Sequence, residues 1–336
     1  MSLSGSREEM GPDVTDAVVE VESPARFWFR IERMRDFGIL FALVLLFAVL
    51  SLTSSVFLTT TNLLNILEQW APTGIMALGG TFVLITGGFD LSIGAIFTMS
   101  SIVAVIVSNA VDPAVGVLAG VACGAACGIG NGLMATYGKM NVFTTTLGTS
   151  IAVAGLAAAI TGGTIQTPTD AGFGFMANNF LGVNLAIWVF AVVAVASSFL
   201  LIRTVLGRYT YAVGGNEEAS RLAGVNVKNI RLIALGLSGL GGGIAGVIVA
   251  SSSISASASS NSDVAFNVWT AMLLGGNSMW GGEGTVWRCL VGVALMALIS
   301  NGFNLLAVDP LYQQVATGAI LLGAIGLDAW TRPSSS

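Results

Sequence analysis

Residues 113–136 read PAVGVLAGVACGAACGIGNGLMAT, a run without a single charged side chain. About 20 mostly apolar residues are enough for a helix to cross the ~30 Å hydrocarbon core of a bilayer. Positions four apart share one face of a helix, and a row of glycines there lets a second helix approach closely. The stretch therefore predicts a membrane-spanning helix that packs tightly along one face. The glycines of that face recur at every fourth position: Gly116, Gly120, Gly124, Gly128 and Gly132.

The whole chain has the composition of a membrane protein. Only 9% of its 336 residues are charged, against about 25% in a typical soluble domain. Residues of the types AVILMFWYC make up 54%. These proportions exclude a soluble enzyme, a nucleic-acid-binding protein and a disordered chain, and they predict an all-α integral membrane protein. There is no histidine and no GxxxxGK[ST] phosphate-binding loop, and the three cysteines lie in apolar stretches. We therefore expect no metal site, cofactor or nucleotide site in this chain.

About ten segments are long and apolar enough to be predicted as spans. The eighth is short and is typical of either a weak span or a broken, re-entrant segment. The segments cover roughly residues 37–57, 68–87, 91–108, 113–136, 141–161, 184–202, 230–250, 264–280, 285–305 and 309–328.

The basic residues predict the orientation, because Lys and Arg favour the cytosolic side of short loops. With the N-terminus inside, ten spans place all 13 Lys and Arg at or near the cytosolic face. Both termini are then cytosolic. Residues 1–36 form a polar tail whose segment 26–35 is typical of a helix at the membrane surface. Residues 37–328 form the transmembrane domain, and residues 329–336 a second tail. The outer loops carry only acids, at Asp112, Asp170, Asp263 and Asp309.

Residues 203–229 form the largest predicted cytosolic segment. Within it, residues 216–224 predict one short helix, with an asparagine that can cap its start and a glycine that ends it. Glu217 is placed to pair with Arg221 four residues on. A helix this short is unstable alone, so we expect it to pack on the membrane domain or on a cytosolic partner. Its predicted contact residues are Asn216, Glu217, Glu218, Ala219, Arg221, Leu222 and Gly224.

A few polar side chains lie at predicted membrane depth. Asp90, in the segment TGGFDLSIG at 86–94, either caps the third span or contacts a transported solute. Neutral amides elsewhere either hydrogen-bond one helix to another or line a path for a neutral polyhydroxy solute. The candidate path residues are Asp90, Ser92, Asn131, Asn301, Asn304 and Gln313.

Three separated stretches resemble permease subunits of ABC importers for monosaccharides, of the ribose, xylose and arabinose type. Residues 86–94 resemble that family's GG-x-DLS-x-G segment. Residues 214–227 resemble its GGN…A-R-x-AG-x-x-V coupling loop. Residues 274–285, together with Asn301-Gly302 and Gln313-Gln314, resemble its C-terminal pattern. The resemblance covers roughly residues 40–328 and leaves the N-terminal tail outside.

The resemblance implies a permease subunit like those of type II ABC importers, in the cell inner membrane, working by alternating access without covalent chemistry. It implies two permease subunits, identical or different, and an extracytoplasmic sugar-binding protein. It also implies two cytosolic ATPases, which hold ATP and Mg and dock on a coupling helix at 217–224. A branched-chain amino-acid ABC permease is the nearest alternative, and a secondary carrier or channel without an ATPase is a further one. The transported sugar stays open at this point.

Overall fold

Helices build nearly all of the described protein. The computed structural model describes residues 24–259 and 262–330. Between the fifth and sixth helices lie a 3₁₀ helix (Ala171–Ala177) and an antiparallel hairpin of β1 (Asn179–Phe180) and β2 (Val183–Asn184). The helices are α1 (Pro24–Thr53), α2 (Thr60–Ile85), α3 (Ile93–Ala110), α4 (Pro113–Thr136), α5 (Val142–Thr161), α6 (Leu185–Arg203), α7 (Val205–Gly215), α8 (Glu217–Leu222), α9 (Val227–Ser253), α10 (Ser262–Leu274), α11 (Val286–Leu305) and α12 (Pro310–Trp330).

Each of the ten predicted spans overlaps one of these helices, and α7 and α8 lie in the segment between the sixth and the seventh span. Helices α3, α4, α5, α6, α9 and α11 are long and apolar enough to cross a membrane, and α1, α10 and α12 contain shorter apolar stretches. The mostly helical architecture is confirmed, whereas the number of crossings stays a prediction.

The first helix begins earlier than the first predicted span. Because α1 runs from Pro24 to Thr53, the segment predicted at the membrane surface over 26–35 and the first span form one continuous helix. The predictions for residues 1–23 and 331–336 lie outside the described residues.

Helix α9 lies at the centre of the molecule and packs against α2, α3 and α4. The glycine face of α4 meets the glycines of α9 directly. A Cβ atom added at Gly124 would lie 2.5 Å from the Cα atom of Gly243, and one added at Gly132 would lie 2.9 Å from the Cα atom of Leu232. Towards its start, α4 meets α3 in the same way, because a Cβ at Gly116 would lie 2.5 Å from the carbonyl oxygen of Ala104. Backbone therefore touches backbone along α4.

We expect Gly124→Leu to destabilise the protein, because the new side chain would collide with the backbone of α9. Overpacking of this kind costs about 1–3 kcal/mol or more. Gly130→Leu is the matched control, since a Cβ at Gly130 meets no atom within 4 Å. Thermal unfolding in detergent should give a lower midpoint for Gly124→Leu than for Gly130→Leu. Equal midpoints would contradict the close approach of α4 and α9.

The eighth predicted span is a broken segment rather than a helix over 264–280. Helix α10 ends at Leu274, where the backbone N–H of Gly276 donates to Leu273 and that of Asn277 donates to Met272. This is the Schellman arrangement, and it needs a residue with positive φ. Gly276 supplies it, with a φ of +85°. The chain then continues as a glycine-rich loop to α11.

The segment 203–229 contains two helices where the sequence predicted one. Helix α7 was missed. Its start is capped by the Thr204 hydroxyl, which accepts a hydrogen bond from the backbone N–H of Gly207. Val213 on α7 is buried and packs with Val227 and Ile230 of α9. These tertiary contacts stabilise a helix that is too short to be stable by itself.

Candidate functional site

The side chain of Asp90 is completely buried and accepts three hydrogen bonds. The donors are the backbone N–H of Ser92 at 2.9 Å, the Ser92 hydroxyl at 2.5 Å and the Ser238 hydroxyl of α9 at 2.6 Å. Helix α3 begins at Ile93, and Ser92 holds its cap position without a side-chain cap bond. The prediction that Asp90 caps this helix is therefore wrong, because Asp90 lies two residues before the cap position. Its carboxylate closes a turn just before the helix and ties that turn to α9.

Two further helices hold the same segment. The Asn131 amide of α4 donates to the Ser92 hydroxyl at 2.8 Å. The Thr146 hydroxyl of α5 accepts from the backbone N–H of Leu91 and donates to the carbonyl of Phe89, both at 3.1 Å. The candidate path residues Asp90, Ser92 and Asn131 thus form one buried network.

Helix α10 closes the network from another side. The Trp269 indole N–H donates to the carbonyl oxygen of Asp90 at 3.1 Å. The Trp269 ring also stacks on Phe89, with centroids 3.4 Å apart and planes 16° apart. Trp269 is itself 1% exposed. Residues from α4, α5, α9 and α10 therefore fix the position of Asp90.

The other three candidate path residues lie together, apart from Asp90. Asn301 of α11 and Asn62 of α2 exchange amide hydrogen bonds, the shorter of which is 2.9 Å. The Gln313 amide of α12 donates to the Asn304 side chain at 3.3 Å. Gln313 also lines a cavity of about 550 Å³ between α10, α11 and α12. These amides join helices, and Gln313 also reaches a cavity. That they line a solute path stays a prediction.

Glycines from three Gly-Gly pairs, which lie far apart in the chain, meet at one point. A Cβ on Gly281 would lie 2.7 Å from the Cα of Gly87, and one on Gly282 would lie 2.9 Å from the Cα of Gly215. The backbone N–H of Gly282 donates to the carbonyl of Ile85 at 2.8 Å. We call the residues Gly87, Gly214, Gly215, Gly281 and Gly282 the glycine junction. It joins the end of α7 to the loops that follow α2 and precede α11.

A tyrosine reinforces the glycine junction. The Tyr211 hydroxyl of α7 donates to the carbonyl oxygen of Gly284 at 2.7 Å. Burial raises the pKa of Tyr211, so the phenol keeps its proton and remains a donor at neutral pH. Helix α7 is therefore held to the loop before α11 by both side chain and backbone.

Helix α8 follows α7 directly. The Asn216 side chain accepts from the backbone N–H of Ala219 at 2.9 Å, so the predicted cap is confirmed. The predicted pair of Glu217 with Arg221 is wrong. Arg221 pairs with Glu218, at 2.6 Å, because the separation of three residues also brings side chains together on a helix. Glu217 instead pairs with Arg231 of α9 at 2.7 Å.

The outer surface of α8 is charged and partly apolar. The Arg221 guanidinium lowers the pKa of the Glu218 carboxyl, so this pair stays ionised around neutral pH. Leu222 is 78% exposed. Ser220 lies on the opposite side and is buried. Helix α8 thus exposes an ion pair and a leucine to solvent, while its inner side is joined to α9 through the ion pair of Glu217 with Arg231.

Long apolar helices, a buried network of polar groups and one charged helix outside the apolar body define an integral membrane transport subunit. Residues 62–325 match the family described as branched-chain amino acid transport system / permease component. The chain belongs to this permease family.

Similar proteins are known from several bacteria. The chain is 37% identical to the ribose import permease protein RbsC of Bacillus subtilis, over 88% of this chain and 93% of the relative. It is 36% identical to RbsC of Escherichia coli K12, over 86% and 92%. It is 34% identical to the L-arabinose ABC transporter permease protein AraH of Azospirillum brasilense, over 99% and 98%. The last match extends over the N-terminal tail, which the motif resemblance left outside.

Several residues of the site escaped the sequence analysis. Ser238, Thr146 and Trp269 hold the Asp90 segment, but nothing in their local sequence indicates a partner far away in the chain. The glycine junction left a stronger signal, because the pair Gly-Gly occurs at 87–88, 214–215 and 281–282. The sequence does not indicate, however, that these pairs meet in the folded chain.

We expect Asp90→Ala to lower the free energy of unfolding by about 3 kcal/mol or more, because three buried donors would lose their acceptor and each costs about 1–3 kcal/mol. Asp112→Ala is the control. Asp112 is exposed and accepts from the N–H two residues on, at Ala114, so the loss of this cap costs about 0.5–2 kcal/mol. Chemical unfolding in detergent measures both. If Asp90→Ala is as stable as Asp112→Ala but inactive, Asp90 contacts the solute instead.

Proposed function

We propose that this chain is the transmembrane permease subunit of an ATP-driven, binding-protein-dependent importer of a monosaccharide or similar polyol. It resides in the cell inner membrane and works by alternating access, with ATP and Mg held by a separate ATPase. The observation that supports this proposal best is sequence identity: more than a third of the aligned residues are identical to those of ribose permeases, over most of both chains. The family description names branched-chain amino acids, but the cited relatives are named for ribose and arabinose, which favours a sugar.

The proposed topology has ten spans, α1–α6 and α9–α12, with both termini cytosolic. Helix α2 has 26 residues, enough for a crossing at 1.5 Å per residue. Helix α10 has 13 residues and needs the loop that follows it to complete a crossing. Three of the acids assigned to the outside have a local structural role, since Asp112, Asp170 and Asp309 each accept a backbone N–H at the start of a helical segment.

Helix α8 is the proposed docking element for the ATPase. Its exposed ion pair and Leu222 offer a small amphipathic surface, and its inner side connects to the membrane helices by two routes. One route is the pair of Glu217 with Arg231 on α9. The other runs through α7 to the glycine junction. A displacement of α8 would therefore reach α9 and the loops next to α2 and α11.

A second permease copy is the proposed partner within the membrane. Helix α5 supports it, because few of its residues are buried within the subunit. Cβ atoms added at Gly148 and Gly155 would meet nothing within 4 Å. Small residues on an open helix face allow close helix association in a bilayer.

Reconstitution tests the function directly. The chain, its ATPase and its binding protein in liposomes should take up D-ribose or L-arabinose only when ATP is supplied. Uptake of L-leucine without either pentose would support the amino-acid alternative. Uptake of any of them by the permease without the ATPase would support a secondary carrier.

We expect Leu222→Asp to weaken ATPase binding about tenfold or more, because truncation of a central apolar contact costs 2 kcal/mol or more at an interface. The fold should be unaffected, since Leu222 is 78% exposed. Leu181→Asp is the control. It is 79% exposed and lies in the β1–β2 turn, away from α8. Co-purification of the ATPase measures the effect, and equal losses in the two variants would contradict docking on α8.

We expect Gly214→Ala to reduce the coupling of ATP hydrolysis to transport. The new methyl group would press on the backbone of Ile85 and Gly282 and separate α7 from the loops it joins. Gly215→Ala is the control, because a Cβ there meets nothing within 4 Å. The ratio of sugar imported to ATP hydrolysed should fall in Gly214→Ala alone, with the ATPase still bound. An unchanged ratio would exclude the glycine junction from coupling.

A further inference from the structure

Two neighbouring cavities share Trp70 of α2 but have different linings. The polar cavity, about 550 Å³, lies between α10, α11 and α12, and its polar residues are Asn267, Ser300, Gln313, Gln314 and Thr317. The apolar cavity, about 660 Å³, lies between α1, α2, α6 and α11. Aliphatic and aromatic side chains line it, Leu67, Phe190 and Leu290 among them.

The polar cavity follows from how the last helices pack. Helix α12 packs on α10 and leaves a space on the side that faces α11. Residues 313, 314, 317, 318, 321 and 322 recur at helical spacing and place one face of α12 on this space, and residues 296, 299, 300 and 303 do the same for α11. The amides and hydroxyls lie near the start of α12 and the end of α11, which is the outer end in the proposed topology. Deeper positions, such as Met296 and Leu321, are apolar.

Polar side chains are unfavourable against hydrocarbon, so a cavity that collects them at membrane depth holds water or a polar solute. The neighbouring apolar cavity has no such requirement. The difference between the two linings therefore identifies the polar cavity as the one that a hydrophilic molecule can occupy.

The lining also limits the class of solute. None of the described residues that line the polar cavity is charged. A free amino acid carries an ammonium and a carboxylate, and burying both without charged partners is costly. A monosaccharide carries neutral hydroxyls that pair with amides and hydroxyls. Its C–H faces can pack on rings such as Phe266, Phe303 and Trp70. The Thr317 hydroxyl donates to the backbone carbonyl oxygen of Gln313, so the hydroxyl oxygen of Thr317 can still accept a hydrogen bond from a solute.

We infer that the polar cavity is a binding site for a monosaccharide or similar neutral polyol during transit. Asn267, Ser300, Gln313, Gln314 and Thr317 form its hydrogen-bonding wall. The inference rests on the proposed function and adds to it where the solute binds.

Cysteine labelling tests the site in the complete reconstituted complex. Cys123, Cys127 and Cys289 are first replaced by serine. Thr317→Cys and Leu67→Cys are then compared, because each position lies seven residues after the first residue of its helix, Pro310 or Thr60, one in the polar and one in the apolar cavity. A membrane-impermeant sulfonated maleimide is added outside, with and without D-ribose or L-arabinose.

We expect Thr317→Cys to react, and one of the pentoses to slow its reaction about three- to tenfold when the sugar is present at about two to nine times its dissociation constant. Leu67→Cys should react slowly and be unaffected by sugar. Equal rates at both positions, or no protection by the sugar that the complex transports, would overturn the site.

Transport by Thr317→Val separates the site from the proposed function. Valine keeps the shape of threonine and removes the hydroxyl, so pentose uptake should fall about three- to tenfold, while ATPase binding and protein yield stay constant. Leu67→Val is the control and should transport normally. Normal uptake by Thr317→Val would contradict the proposed site but not the proposed function. No pentose uptake by the unmodified complex would overturn the proposed function, and the site with it.

Discussion

The contact between the backbones of α4 and α9 is the constraint on which the rest of the structure depends. Glycines on both helices remove the side chains that would hold them apart, so that Gly124 lies against Gly243. Asn131 lies beside Gly132, and Ser238 beside Gly239. The close approach therefore brings the Ser238 hydroxyl of α9 to the buried Asp90 carboxylate. It also brings the Asn131 amide of α4 to the Ser92 hydroxyl, which itself donates to that carboxylate. Without it, the Asp90 side chain would lose the donor that α9 supplies.

The polar groups that fix the turn at Asp90 and those of the proposed sugar site lie in separate parts of the protein. The network around Asp90 is fully buried and held by four helices, and it fixes the turn before α3. The polar cavity is open enough to admit a solute, and its polar atoms come from the ends of α11 and α12. A membrane protein must satisfy its polar groups internally wherever water is excluded. The Asp90 carboxylate has its donors within the protein, whereas the polar groups of the cavity can exchange partners with water or, as proposed, with a sugar.

Much of the fold could be predicted from the sequence because it depends on local properties. The apolar run 113–136 coincides with α4, and the cap at Asn216 places the start of α8. Contacts between distant residues could not be predicted in this way. Glu217 has Arg221 within reach on its own helix but pairs with Arg231, since α9 passes beside α8. Helix α7 likewise depends on α9 for its stability. For the candidate site, the sequence identified Asp90, Ser92 and Asn131, but their common network depends on Ser238 and Trp269, which only the tertiary structure brings near.

The glycine junction has a mechanical consequence. Side chains at a contact can change rotamer and absorb a small movement, but three backbones in direct contact have no such compliance. A displacement at one of them must be passed on as a rigid translation or be resisted. The glycine junction is thus a stiff connection between the end of α7 and the loops that follow α2 and precede α11. It is made of residues that carry no side chain at all.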